Sequence, residues 1–224
     1  MAGADMHRVG DDEHVPGIAA AHGHRNYLHV WAHPGNAALR QLRTRPSILC
    51  GGDTLYVPPV APDSVDKPTD QRHRFTIQRA PLALRVAVYR RFGATLQGCP
   101  ARLVLEPTLR ALPLDADGGI EAGIEPGGTT AALHLDPPAP ATAAGVETLP
   151  RAFGLHIGRL DPVDTPSGQM QRLRNLGYFQ HPAHDPRADD LRSAVEEFQC
   201  DQALAVDGVP GPTTRAALER AHGC

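Results

Sequence analysis

Three adjacent acidic residues, Asp11, Asp12 and Glu13, follow Gly10 near the start of the chain. Paired carboxyl groups can act as acid and base in glycoside hydrolysis, a reaction that needs them across a cleft with one pKa raised. Neighbouring acids beside a glycine turn are more typical of a solvated surface. We therefore predict that this acidic run is not catalytic.

Histidines form two groups with spacings that could bind a metal. The HxxHD sequence of His181–Asp185 offers two imidazoles and a carboxylate, but it lies in a proline-bounded loop, whereas ligating histidines usually lie on a rigid element. His29 and His33 are four residues apart, but Pro34 would end a helix that carried both. We predict surface loops, with no metal site and no cofactor.

Other catalytic signatures do not occur in the sequence. It contains no Gly-x-Ser-x-Gly elbow, Walker loop or Gly-x-Gly-x-x-Gly. The four cysteines, Cys50, Cys99, Cys200 and Cys224, are far apart and form no CxxC pair, which favours reduced thiols over disulfides or zinc ligands. The sequence therefore predicts a protein that is not an enzyme.

The composition of the 224 residues narrows the function classes further. A net charge of −3 argues against a general nucleic-acid binder, and no apolar run approaches the ~20 residues of a membrane span. The first residues show no basic stretch followed by an apolar one, so we expect no secretory signal. We expect a protein that is cytoplasmic at synthesis and that would need a secretion machine, or lysis, to reach the periplasm or a target cell.

Two proline-rich stretches, Pro58–Pro68 and Pro137–Pro150, contain too few large apolar residues to build a core, so they are typical of linkers. They separate three segments, each near the lower size limit for independent folding. The predicted boundaries are 1–58, 59–69 (linker), 70–136, 137–150 (linker) and 151–224.

The first segment has the order strand, helix, helix, strand. The predicted elements are Met6–Val9, Val15–His22, Asn36–Leu42 with Asn36 as N-cap, and Thr54–Val57.

This segment resembles a LysM module, with an opening Gly10-Asp11 turn and an Ile18-Ala19 helix. It closes with Ile48–Pro58, ILCGGDTLYVP, which is similar to the closing strand of that family. The resemblance implies binding of N-acetylglucosamine glycans through the loops beside the two helices. The matching positions are Asp11, Asp12, Ile48 and Leu49.

The stretch Tyr27–Asn36 is longer than the LysM pattern and contains Trp31, the single tryptophan. A partly exposed tryptophan is a typical anchor of protein interfaces. We therefore consider Tyr27 and Trp31 as a protein interface, with Trp31 as a core residue of the small module as the alternative.

The second segment predicts a small antiparallel β-sandwich. Leu82, Leu84, Val86 and Val88 alternate with other residues, which indicates a half-buried strand. Further strands are predicted at Arg102–Glu106, Leu109–Leu114 and Thr130–Leu135, with Asp115–Gly119 as a hairpin turn. The segment resembles immunoglobulin-like spacers, which implies a spacer or an interaction surface.

The third segment predicts three helices, around Met170–Leu176, Leu191–Phe198 and from Pro212 onward. It carries Leu176-Gly177-Tyr178, then Ala194–Gln199 (AVEEFQ), then Leu204–Thr214 (LAVDGVPGPTT). These motifs closely resemble the peptidoglycan-binding three-helix domain of wall hydrolases. Tyr178, Phe179 and Phe198 are predicted to cluster near the end of the first helix, where one ring could stack on a sugar. We predict Phe198 as core, leave Tyr178 open between a glycan contact and a half-buried core residue, and include Asp207 among the candidate glycan contacts.

Together these features predict an α+β multidomain chain: a βααβ LysM-like module, a small antiparallel β-sandwich and a three-helix peptidoglycan-binding domain. The expected function is non-catalytic binding of bacterial peptidoglycan, or of another glycan containing N-acetylglucosamine. The alternative is a structural or loading component of a contractile injection machine, a type VI secretion system or phage-like tail. That component would use the same folds to contact a spike, hub or tube protein, because the order of modules resembles proteins encoded beside such machines.

Overall fold

A computed structural model describes residues 5–60, 66–74, 81–88, 96–105, 108–136, 152–179 and 188–224. The buried apolar residues of these ranges form three separate clusters, one in each predicted segment. All of Pro137–Pro150 and part of Pro58–Pro68, both predicted as linkers, lie outside the described residues, as do His181 to Asp185.

In the first segment two short strands pair antiparallel, with Asp5 opposite Val57, and helices lie between them in sequence. Val15, Val30 and Leu55 are fully buried where the helices meet the strands. The elements are β1 Asp5–Arg8, α1 Val15–Ala21, α2 Tyr27–Trp31, a 3-10 turn Pro34–Asn36, α3 Ala37–Leu42 and β2 Thr54–Val57.

Two helices were predicted in this segment, but the structure has more, because the long stretch Tyr27–Asn36 contains α2 and the 3-10 turn. Asn26 caps α2, since its Oδ1 accepts a hydrogen bond from the Leu28 amide at 3.0 Å. The helix is short because Pro34 follows soon after it. A helix of only five residues gave little periodicity to detect.

The capping role predicted for Asn36 is wrong. Its side chain makes no cap hydrogen bond to α3 and is buried instead. Its Nδ2 donates to the Val30 and Tyr56 carbonyls at 2.7 and 2.8 Å, and its Oδ1 accepts from the Tyr56 amide at 2.7 Å. The amide therefore joins β2 to the end of α2, across the core.

The second segment forms two antiparallel sheets that share one apolar core. One sheet pairs β3 with β6, and the other has the order β5-β4-β7-β8. The strands are β3 Leu82–Ala87, β4 Pro100–Leu105, β5 Thr108–Pro113, β6 Gly119–Ile124, β7 Thr130–Leu135 and β8 Ala152–His156.

The strand β6 was not predicted, and two further features of this sandwich differ from the prediction. The Asp115–Gly119 turn does not close a hairpin, because β5 pairs with β4 while β6 pairs with β3. Asp115 Oδ1 accepts hydrogen bonds from the amides of Asp117 and Gly119 at 2.9 and 2.6 Å, so the turn carries the chain from one sheet to the other. In addition, β8 comes from the segment predicted to be helical and pairs with β7.

The last part of the chain contains three helices, α4 Pro166–Asn175, α5 Ala188–Asp201 and α6 Pro212–His222. They enclose a core that includes Leu173, Val195, Phe198 and Leu218, each fully buried. Pro212 occupies the first turn of α6, as predicted, where its missing N–H costs no hydrogen bond.

Candidate functional site

The loop between α5 and α6 is built around the side chain of Gln199, which is almost fully buried. Its Oε1 accepts hydrogen bonds from the amides of Asp207 and Gly208 at 3.0 and 2.9 Å. Its Nε2 donates to Asp207 Oδ1 at 2.8 Å, to Thr214 Oγ1 at 3.0 Å and to the Val209 carbonyl at 3.1 Å. The Phe-Gln and Val-Asp-Gly motifs are therefore parts of one hydrogen-bonded scaffold.

Asp207, a predicted glycan contact, lies at the exposed tip of this scaffold. Its Oδ1 also accepts from the Val209 amide at 2.8 Å. This main-chain hydrogen bond, and then the one from Gln199, lower the pKa of the Asp207 carboxyl. Asp207 is thus ionised at neutral pH and held in one orientation, between the exposed side chains of Val206 and Val209.

Tyr178, the other predicted contact in this segment, lies half-buried against the helical core. Its ring meets that of Phe198 edge-on, with centroids 5.4 Å apart. Its hydroxyl donates to Asp201 Oδ2 at 3.1 Å. Phe198 is fully buried, which confirms its predicted place in the core, while Tyr178 is only half-buried.

Arg172 was not recognised from the sequence, yet it is one of the most buried side chains. Its guanidinium donates to the main-chain oxygens of Asp161, Gly168 and Cys224 at 2.8, 2.8 and 2.9 Å. Desolvation lowers its pKa, and nearby acidic groups oppose that shift. Arg172 thus ties the entry to α4 to the chain after α6.

Cys224, His222 and Asn175 lie in a row beside this arginine. His222 Nδ1 is 3.1 Å from Cys224 Sγ, and its Nε2 is 3.0 Å from Asn175 Nδ2. Thiol catalysis needs a lowered thiol pKa, but burial raises the pKa of Cys224. Burial, aided by the charge of Arg172, lowers the pKa of His222 to about 4. An imidazole with so low a pKa is a weak base, and a thiol with a raised pKa forms little thiolate, so the pair does not suit a nucleophile and its activating base.

The acidic run of the first segment also lacks the electrostatics of a glycosidase. Desolvation raises the pKa of Glu13, but hydrogen bonds from the Gly10 amide and His7, 2.8 and 2.7 Å away, outweigh it, so that the pKa is lowered. Asp12 adopts a positive φ of 70° and forms an ion pair with Arg159, 2.9 Å away. Asp11, which belongs to the same turn as Asp12, lies beside Gly51.

The four LysM-like glycan positions divide into two pairs. Asp11 and Asp12 are exposed on the turn, as a ligand contact requires. Ile48 and Leu49 are only 9% and 4% exposed, because their side chains pack towards the core. The side chains of Ile48 and Leu49 are therefore not available to a sugar, which corrects the prediction that they contact a glycan.

Tyr27 and Trp31, predicted as an interface or as core, both lie half-buried against the first core. Arg40 donates to the Trp31 carbonyl, which holds the end of α2 in place. The position of Trp31 favours its core role while leaving part of the ring accessible.

No group of three or more His, Cys, Asp or Glu side chains is placed to hold a metal among the described residues. His33, one of the predicted pair, stacks on Tyr56 with ring centroids 4.6 Å apart, and its Nδ1 accepts from the Gly35 amide. The four cysteines, all within the described ranges, are unpaired. None of the helices described is both long and apolar enough to cross a membrane.

Comparison with known proteins bears on the helical part of the chain. No curated protein and no solved structure matches the chain significantly. Residues 170–218 match the model of a family described as "Putative peptidoglycan binding domain". These residues include Tyr178, Gln199, Asp207 and most of α6, so the scaffold described above is the part of the chain that matches. The match supports peptidoglycan binding by this chain, and it covers part of α4, all of α5 and most of α6.

Proposed function

We propose that this chain is a non-catalytic peptidoglycan-binding protein whose helical domain contacts the wall polymer. The single observation that carries this proposal is the family match over residues 170–218. In that domain the Asp207 turn is exposed and the Tyr178 side chain is half-buried. An aromatic ring can stack on the apolar face of a sugar, while neighbouring polar groups accept its hydroxyl hydrogens.

The proposal that the protein is not a hydrolase is supported by the electrostatics. Glu13 has a lowered pKa and the thiol of Cys224 a raised one, the opposite of what a general acid and a nucleophile require. Release of muropeptides from purified sacculi, abolished by one point mutation, would overturn this part of the proposal.

Pelleting with purified sacculi tests wall binding in the full-length chain. Tyr178→Ala should lower the bound fraction several-fold, since the loss of one stacked ring costs about 1 kcal/mol. Tyr178→Phe is the matched control, because it keeps the ring and removes only the hydroxyl bonded to Asp201. A chain that stays in the supernatant at every sacculus concentration would contradict the proposal, provided that its circular dichroism is native.

A second candidate function is contact with a spike, hub or tube protein of a contractile injection machine, which would also deliver the chain to a target cell. The observation that favours a protein contact is that three large apolar side chains of the first segment are exposed. Met6, Leu28 and Leu42 are 60%, 43% and 61% exposed. Exposed apolar side chains can anchor a protein interface. Co-expression with the spike, hub and tube proteins tests it: a complex lost on Leu42→Glu supports this function, and no complex excludes it.

A further inference from the structure

The first segment and the helical end of the chain touch one another although more than 100 residues separate them in sequence. Asp12 Oδ2 lies 2.9 Å from Arg159 Nη2, and Arg43 Nη1 lies 3.7 Å from Asp164 Oδ1. Arg45 Nη1 donates to the Gly223 carbonyl at 3.3 Å. In each contact a charged group meets one of opposite charge or a carbonyl dipole, so the two surfaces are electrostatically complementary.

The side chain of Arg43 is held within the first segment by Asp53, and it also contacts Asp164. Its Nε and Nη2 donate to the two carboxylate oxygens of Asp53 at 2.9 and 3.2 Å, so that one face of the fork is bound within its own segment. Only 10% of the Arg43 side chain is exposed. Because the guanidinium is rigid and planar, this pairing directs Nη1 towards Asp164 with little further loss of side-chain entropy.

A close steric fit accompanies these charges. His14 caps α1 by accepting the Gly17 amide at its Nδ1, 3.1 Å away. The opposite side of its ring lies against Gly158, where a Cβ would come within 2.1 Å of His14 Cδ2. Gly158 also has a positive φ of 79°. A glycine is therefore required at this point of contact on two grounds.

The β8–α4 connection, which the first segment contacts, is held in place by α4. Residues 157 to 165 connect β8 to α4, and hydrogen bonds attach this connection to α4: Asp161 N donates to Gln171 Oε1 at 2.7 Å, and Gln169 Nε2 donates to the Val163 carbonyl at 3.0 Å. Gly158, Arg159, Asp164 and Gly223 all lie outside residues 170–218. The residues that make this contact therefore do not belong to the matched region.

We infer that these residues form an intramolecular latch that closes the first segment onto the β8–α4 connection and opens as salt screens the charges. Because both surfaces belong to one chain, closure is intramolecular and needs a weaker contact than the association of two separate molecules. Both side chains of the Asp12–Arg159 ion pair are half exposed to solvent. Salt weakens such a pair, because the Debye length falls to about 3 Å at an ionic strength of about 1 M. While the latch is closed, Asp12 is engaged with Arg159 and not with an external ligand.

Small-angle X-ray scattering of the full-length chain tests the latch through charge reversal. At low ionic strength we expect a compact wild type, while Asp12→Arg and Arg159→Asp each increase the maximum dimension by roughly 20 Å, near the width of a ~55-residue body. The double variant Asp12→Arg/Arg159→Asp should return to the wild-type value, because the pair is rebuilt with its charges exchanged. Wild type in 1 M NaCl should resemble the single variants.

Arg85→Glu is the matched control, since it breaks an exposed ion pair of 2.7 Å with Glu121 inside the sandwich. It should leave the maximum dimension unchanged, and far-ultraviolet circular dichroism should show that every variant is folded. The latch is overturned if the single reversals keep the wild-type dimension at low salt. It is equally overturned if the double variant stays as extended as the single ones.

Discussion

Gln199 Nε2 and Asp207 Oδ1 lie 2.8 Å apart and join the end of α5 to the turn that precedes α6. The same Gln199 side chain also receives the amides of Asp207 and Gly208, so that one buried residue orders the whole turn. The motif that identifies the domain is thus chiefly a structural device. What it offers a ligand is the fixed carboxylate and its exposed neighbours.

Replacing Gln199 by Leu should lower the free energy of unfolding of the helical domain by about 2–3 kcal/mol, because several main-chain groups lose their partner at once. Urea denaturation followed by circular dichroism measures this change. Gln202→Leu is the control, since that glutamine is exposed just after α5. Equal stability of the Gln199→Leu variant and the wild type would contradict the structural role.

Gly208→Ala should destabilise the same turn by about 1–2 kcal/mol. The glycine has a φ of 69°, and an added Cβ would approach Arg192 Cγ and Glu196 Oε1 to 2.7 and 2.8 Å. Gly211→Ala serves as control, because nothing lies within 4 Å of its Cβ position and its φ is −66°. Thermal unfolding should separate the two alanine variants, and identical midpoints would be evidence against this reason for the glycine.

Periodicity and turn residues predicted most described strands and helices to within one or two residues, because those elements bury regular apolar faces. The exceptions have physical causes. The five-residue α2 is too short for a periodic signal, and the Asp115 turn has the residues of a hairpin although its flanking strands enter different sheets. The pairing of β5 with β4 and of β6 with β3 depends on long-range contacts, which the local sequence around the turn does not reveal.

The candidate site was predicted in its residues more than in their roles. Tyr178, Phe198 and Asp207 were identified through family motifs, but the roles of Gln199 and Arg172 depend mainly on partners that lie up to 52 positions away in the chain. Arginine is normally exposed, so its type alone indicated a surface. The role of Asn36 was mispredicted for a related reason: its position before a helix is that of a cap, while its hydrogen-bond partners lie on α2 and β2.

His222 should make the protein less stable in mild acid. Burial, and then the charge of Arg172, lower its pKa from 6.5 to about 4, so the unfolded chain binds the proton more readily than the folded one. The contribution to stability is complete above pH 6.5 and is lost as the pH falls from there through about 4. His222→Gln, which cannot be protonated, should show a shallower decline over that window in urea titrations at each pH. Parallel pH profiles of the two proteins would contradict this assignment.

Trp31 should report the folding of the first segment and contribute to its stability. Because the ring is half-buried against the core that contains Val30 and Leu55, its fluorescence should shift to longer wavelength when this segment unfolds in urea. Trp31→Ala should lower the free energy of unfolding of the segment by about 2 kcal/mol, less than the cost for a fully buried tryptophan. Trp31→Phe keeps an aromatic ring and should retain more than half of that stability, as measured by the loss of circular dichroism. If Trp31→Ala instead leaves stability unchanged and abolishes binding to a co-expressed spike or tube protein, the residue acts as an interface anchor and not as core.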